Sequence, residues 1–229
     1  MMGYLMNPRL GDEHKAEMLK KNKETIDADG WLHSGDKASR DTHNMFKITG
    51  RYKELIIGAG GENIAPVPIE AGLKRAHAAI SNCVMVGDKR KFNIVLVTLK
   101  AVGATGERPG GNDLEKVSME HCGAGVTTIS QAMDDPTLIK SIEAAIKQTN
   151  KDGSVCPSQA SMIQKFSILP IDLSVETGDI TPSLKLKRSE LEAKYSKLLD
   201  RIYSAENEKA NYVRYTAADT AHLTLNPAH

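Results

Sequence analysis

Between residues 51 and 100 the spacing of apolar residues changes period several times, and this constrains the fold more than any other feature of the chain. Glu54–Ile57 reads as a short strand and Gly58–Gly61 as a turn. Pro66 or Pro68 then opens a helix whose Ile69, Leu73 and Ala76 share one face at i, i+4 and i+7. Cys83–Val86 and Phe92–Leu99 read as strands joined by the Gly87-Asp88-Lys89-Arg90 turn, a predicted hairpin. The alternation predicts a small mixed domain, α/β in rhythm and α+β in layout.

The flanks have other textures. Residues 1–50 hold strand-like pieces at Met2–Met6, Trp31–His33 and Met45–Ile48, punctuated by Asp29-Gly30 and Ser34-Gly35-Asp36. They look like the edge of a β-rich body, and the charged run Lys15–Lys23 reads as a solvated helix face. Residues 101–160 form an insert that begins with a glycine-rich, mobile loop over Ala101–Asn112. Its Asp135-Pro136 pair starts an amphipathic helix that buries Leu138, Ile139, Ile142, Ala145 and Ile146. Met162–Leu169 is a predicted strand, Pro170–Pro182 an acidic loop, and Ser189–Tyr203 a helix with a Ser189/Glu192 capping box. The predicted division is 1–52, 53–206 with the insert at 101–160, and a loosely attached tail at 207–229.

Composition narrows the function classes. The 30 Lys and Arg against 29 Asp and Glu leave a net charge of +1, which removes the electrostatic case for a nucleic-acid binder. Apolar residues make up 40% and aromatics only 4%, so the core has to be aliphatic. The longest apolar runs, Leu55–Ala59 and Ile94–Leu99, are too short to cross a bilayer. Cys83, Cys122 and Cys156 are odd in number and form no C-x-x-C, which argues for a reducing, cytoplasmic setting. The histidines lack ligand spacing, so no metal site is expected.

Three segments could carry chemistry. Gly30–Asp36 (GWLHSGD) ends a strand-like piece in a turn; Asp36 is either a turn cap or a carboxylate placed to accept hydrogen bonds from both ribose hydroxyls. Gly50–Asn63 (GRYKELIIGAGGEN) contains a glycine turn that could face phosphate through backbone N–H groups, or simply be tight and charged at its rim. It fits neither a dinucleotide-binding fingerprint nor a P-loop. Thr181–Arg188 (TPSLKLKR) reads as a strand edge protected by lysines, or as a mobile loop whose lysine reaches a negatively charged transition state. Spacing alone favours the strand edge.

Taken in order, GWLHSGD, FKITGRYKELI, GGENIAPVPIE, ISNCVMVGDKRKFNIVLVTLK and TPSLKLKR resemble the C-terminal part of adenylate-forming enzymes, and most of all the bubblegum-type long-chain acyl-CoA synthetases. The resemblance covers roughly residues 1–203. It implies a small mobile C-terminal domain preceded by a β-rich remnant of a large N-terminal domain. It implies a ligase that activates a fatty acid with ATP to an acyl-adenylate and passes the acyl group to coenzyme A, with Mg2+ as the metal. The residues carried over by the resemblance are Asp36 and Arg51 for the nucleotide, and Lys53 as hinge. Gly60, Gly61, Glu62 and Asn63 would line the coenzyme A channel, and Lys185 would be the catalytic lysine. The family's phosphate loop, magnesium-binding glutamate and acyl tunnel belong to the N-terminal domain, so the isolated chain is expected to be inactive. Partners would then be the fatty acid, ATP, coenzyme A and that domain, with peripheral membrane contact left open. The alternative is a non-catalytic structural or interaction module derived from the same domain.

Overall fold

A computed structural model describes residues 4–51 and 54–220. Lys53, read as the hinge, lies outside the described residues, as do Met2, Gly3 and the last nine positions of the tail. The chain divides into two compact units, Met1–Leu55 and Ile56–His229.

Unit 1 begins with helix α1 (Gly11–Thr25), whose first turn holds Asp12 and Glu13 and whose last holds Lys23, matching the helix dipole. The helix buries no residue, so the Lys15–Lys23 run is the solvated face it was predicted to be. Strands β1 (Asp36–Arg40) and β2 (Phe46–Arg51) pair antiparallel, with Asp36 opposite Arg51 and Arg40 opposite Phe46. Asp41 closes their turn by accepting the His43 and Met45 N–H groups. The predicted strand at Trp31–His33 shrinks to one bridge between Ile26 and Leu32, and Tyr4–Met6 forms none. The longest element here is a helix, so the unit is mixed rather than β-rich: the charged run has no apolar alternation to hold it in a sheet.

Unit 2 carries the core. Strands β3 (Ile56–Ile57) and β4 (Asn63–Ile64) flank the glycine turn, and helix α2 (Pro66–Ala76) follows with Ile69 and Leu73 buried. Strands β5 (Ile80–Val86) and β6 (Asn93–Leu99) make the predicted hairpin, and all of β6 is buried. Its turn requires Gly87, because a Cβ there would lie 2.1 Å from Asn93 Oδ1. Strand β7 (Ile163–Ile168) adds parallel to β6, giving the order β5-β6-β7.

A parallel pair needs a long crossover, and residues 100–162 supply it. Two short helices, α3 (Lys116–Met119) and α4 (Ile129–Ala132), precede α5 (Pro136–Lys151), which packs on α2. Asp135 caps α5 as expected, accepting the Thr137 and Leu138 N–H groups, and Leu138, Ile142, Ala145 and Ile146 join the core. The segment read as an insert is therefore built into the domain. Ala101–Asn112, expected to be mobile, is bridged at Ala104–Pro109 and at Ala101–Leu114.

Two further expectations need correction. The helix over Ser189–Tyr203 divides at Tyr195 into α6 (Arg188–Lys194) and α7 (Ser196–Tyr203). No Ser189/Glu192 capping box forms: Arg188 already lies in the first turn, with its guanidinium drawn to Glu70, and the N-cap Lys187 makes no side-chain capping bond to the helix N–H groups. The apolar stripe Leu191, Tyr195, Leu198, Leu199 and Ile202 is nonetheless wholly buried. The tail is not loose over Asn207–Thr220. Tyr212 bridges Phe166, Val213 and Tyr215 are buried, and Arg214 Nη2 binds Asp134 at 2.7 Å. Burial of these residues outweighs the weak sequence pattern.

Candidate functional site

In unit 1 the GWLHSGD segment is shaped by side chains rather than by a core. Asp27 accepts the Asp29 and Trp31 N–H groups at 3.1 and 2.8 Å and meets His33 Nε2 at 2.8 Å. The hydrogen bond from His33, followed by that from Trp31, holds the Asp27 carboxyl below the usual carboxylate range. Gly35 sits at φ +78°, a left-handed conformation that a side chain would strain. The Asp36 N–H donates to Ser34 Oγ at 3.2 Å, which sets the start of β1. Asp36 and Arg51, far apart in sequence, are register partners, with Arg51 Nε 3.6 Å from Asp36 Oδ1.

Both border an open cavity of about 760 Å³, whose lining also includes Lys21, Glu24, His33 and Ser34. It presents a carboxylate that can accept two hydroxyl hydrogens beside a guanidinium that can face a phosphate or hydroxyl. The Asp27–His33 clamp was not read from the sequence. Its signal is present, since an aspartate two residues before an Asp-Gly turn commonly caps that turn through its side chain.

In unit 2 the glycine loop is tethered at both ends. Gly61 N–H donates to Gly58 O at 2.9 Å, and Gly61 has φ +81°. Glu62 Oε2 accepts from Ser158 Oγ at 3.0 Å, and Asn63 begins β4. No atom stands within 4 Å of a Cβ built at Gly60, so that face of the turn is open. The adjoining strand is tied to the β5–β6 turn by Ile57 N–H to Asp88 Oδ1 and by Lys89 N–H to Ile57 O.

Lys185 is exposed just past a tight turn, and its side chain meets no carboxylate among the described residues. Lys187 differs: its ammonium binds Glu190 at 3.1 Å, and its backbone is the N-cap of α6. Among the described residues, then, Lys187 has a carboxylate partner and Lys185 has none.

The histidines are not all scattered. His77 and His121 stack with ring centroids 4.4 Å apart, and His77 Nε2 meets Ser141 Oγ at 2.9 Å. Burial, reinforced by His121, lowers the pKa of His77 to about 4. Among the described residues no group of three or more His, Cys, Asp and Glu side chains could hold a metal ion. Nor is any helix there long and apolar enough to cross a membrane.

Residues 53–112 match the family described as the AMP-binding enzyme C-terminal domain. The chain is 42% identical over 222 residues to a long-chain-fatty-acid–CoA ligase, ACSBG2, of Gallus gallus, covering 95% of this chain and 27% of the relative. It is 39% identical over 210 residues to the ligase ACSBG1 of Homo sapiens, covering 90% and 27%. It thus spans about 27% of the length of these relatives. The adenylation domain of a carboxylate reductase from Mycobacterium chelonae shares the fold, with TM-score 0.61 and 19% identity over 81% of this chain and 25% of that one.

Proposed function

We propose, for a chain similar over at least 90% of its length to bubblegum-type long-chain-fatty-acid–CoA ligases, that it forms the C-terminal portion of such an enzyme. The whole enzyme would join a long-chain fatty acid to coenzyme A at the expense of ATP. In the first half-reaction a carboxylate oxygen attacks the α-phosphorus, the bond to the β-phosphate breaks, and pyrophosphate leaves. In the second the thiol of coenzyme A attacks the acyl carbon, AMP leaves, and the thiol proton goes to solvent or base.

The single observation that carries this reading is the pairing of Asp36 with Arg51 across one rung of the β1–β2 hairpin, at the edge of an open cavity. Asp36 would accept both ribose hydroxyls, and Arg51 would add a contact to the nucleotide. Lys185 would serve the first half-reaction only, offering a compact ammonium while carboxylate and phosphate repel and pyrophosphate gains charge. Gly60, Gly61, Glu62 and Asn63 would line the pantetheine path during the second. Lys53 keeps its role as hinge in this reading. Magnesium would be held by the N-terminal domain, and the present residues have no step with it. Free Cys83, Cys122 and Cys156 support a cytosolic setting.

The test is Asp36→Asn in the full-length ligase. Losing a charged acceptor of two hydroxyls should raise the KM for ATP by about 10- to 100-fold. The KM for the fatty acid should barely change. An unchanged KM for ATP would remove Asp36 from the nucleotide site. The 229 residues alone, given ATP, magnesium, palmitate and coenzyme A, are expected to make no acyl-CoA above a protein-free control.

A further inference from the structure

The segment that carries Lys185 is a small hairpin rather than a loose loop. Lys187 N–H donates to Asp179 O at 2.9 Å, Ile180 bridges Leu186, and Thr181 N–H donates to Lys185 O at 2.8 Å. Lys185 N–H donates to Thr181 Oγ1 at 3.0 Å, and Leu184 N–H to Thr181 O at 2.8 Å. Leu184 adopts φ +58°, a left-handed conformation that a leucine keeps only where its surroundings impose it.

Two buried ion pairs stand at the base of this hairpin. Asp179, 2% exposed, receives Lys194 Nζ on both oxygens at 2.8 and 2.9 Å, and Thr177 Oγ1 at 2.6 Å. Arg188, the first residue beyond the hairpin, forks onto both oxygens of Glu70 at 2.6 and 2.7 Å. Glu70, 6% exposed, also accepts the Met85 N–H at 2.7 Å. One foot is thus tied to α6 and the other to α2 and β5.

Neither carboxylate has a part in the chemistry above. A buried ion pair adds little net stability over an apolar pair of the same volume, and its best-attested use is to specify one geometry. A bidentate guanidinium–carboxylate pair does so through fixed planar donors. We propose that Asp179 and Glu70 are positioning residues that fix the hairpin to unit 2, so that Lys185 is carried on a rigid arm and not found by a loop search. The inference rests on the role given to Lys185 in the adenylation step.

The experiment has two arms. In the 229-residue chain, amide hydrogen exchange is read at Leu184 and Lys185 on the hairpin and at Ile94–Leu99 in the core. Asp179→Asn and Glu70→Gln are each expected to speed exchange at the hairpin amides by about tenfold or more, and by a clearly larger factor than at the core amides, which report only the general loss of stability. Lys194→Arg, which keeps a cation on Asp179, should behave like the unsubstituted chain. In the full-length ligase, the same two substitutions should lower kcat for acyl-adenylate formation at least about tenfold with an unchanged KM for ATP. Thioester formation from supplied acyl-adenylate should stay within about twofold. Unchanged hairpin exchange in both variants would overturn the proposal, and so would equal losses in both half-reactions. If the hairpin loosens as expected but Lys185→Ala leaves adenylation intact, the functional reading itself fails and takes the positioning role with it.

Discussion

Unit 1 buries none of its described residues, whereas unit 2 gathers a continuous aliphatic core from Ile56 to Tyr215. Both units carry candidate site residues, yet they hold them by different physics. In unit 1, Asp36 is placed by Asp27, Ser34 and Gly35 and by a hairpin whose Phe46 and Ile48 are 74% and 62% exposed. In unit 2, Lys185 stands on ion pairs sunk in the core. Substitutions in unit 1 should therefore change ligand binding with little effect on stability, while those in unit 2 couple the two.

The widest separation is expected in core truncations. Leu96→Ala or Leu198→Ala, each removing a fully buried side chain, should cost about 2–5 kcal/mol in urea unfolding. Phe46→Ala should stay within about 0.5 kcal/mol. Similar losses in both units would erase the contrast. Limited proteolysis gives the same comparison directly, with cuts expected in unit 1 before any within β5 or β6.

Next in size is a pH effect confined to unit 2. The pKa of His77 falls from 6.5 in the open chain to about 4 in the fold, so below pH 6.5 the unfolded chain takes up a proton that the folded one refuses. Stability from this group is complete above pH 6.5 and drains away as pH falls toward 4. The total is on the order of 3 kcal/mol, and the loss stops below pH 4, where both states are protonated. His77→Gln should flatten the wild-type slope between pH 6.5 and 4; a slope that survives the substitution would assign it to other groups.

Most of this fold was legible where apolar period and burial agree. The β5–β6 hairpin, α2 and α5 follow their patterns because each buries the face that the sequence marks. Predictions failed where tertiary contacts decide. Asn207–Thr220 has no stripe, yet Tyr212, Val213 and Tyr215 find partners. Tyr195 breaks a helix whose pattern runs on unbroken. Asp36, Arg51 and Lys185 could be named from motif order, whereas their supports could not. Glu70 did leave a trace, as a carboxylate between Ile69 and Leu73 on the buried face of α2. Its partner Arg188 lies 118 residues away, and no local pattern announces such a pair.

The smallest stability change is expected at the nucleotide candidate itself. The Asp36–Arg51 pair is half exposed and 3.6 Å long, so Asp36→Asn should alter unfolding by less than about 1 kcal/mol. A larger loss would mean that the β1–β2 hairpin depends on this pair, and that its binding phenotype cannot be read separately from folding.

The most direct measurement is a single-turnover comparison of Lys185→Ala and Lys187→Ala in the full-length ligase, with the two half-reactions assayed apart. Removing one charge-stabilising donor from a water-poor site costs on the order of 3–4 kcal/mol, a factor of hundreds in rate. Lys185→Ala should therefore suppress acyl-adenylate formation by that factor and spare thioester formation from supplied acyl-adenylate. Lys187→Ala, which removes only the exposed pair with Glu190, should leave both steps close to wild type. If Lys185→Ala leaves adenylation unchanged, or if the two substitutions weaken it equally, Lys185 is a surface charge and the proposed function loses its central residue.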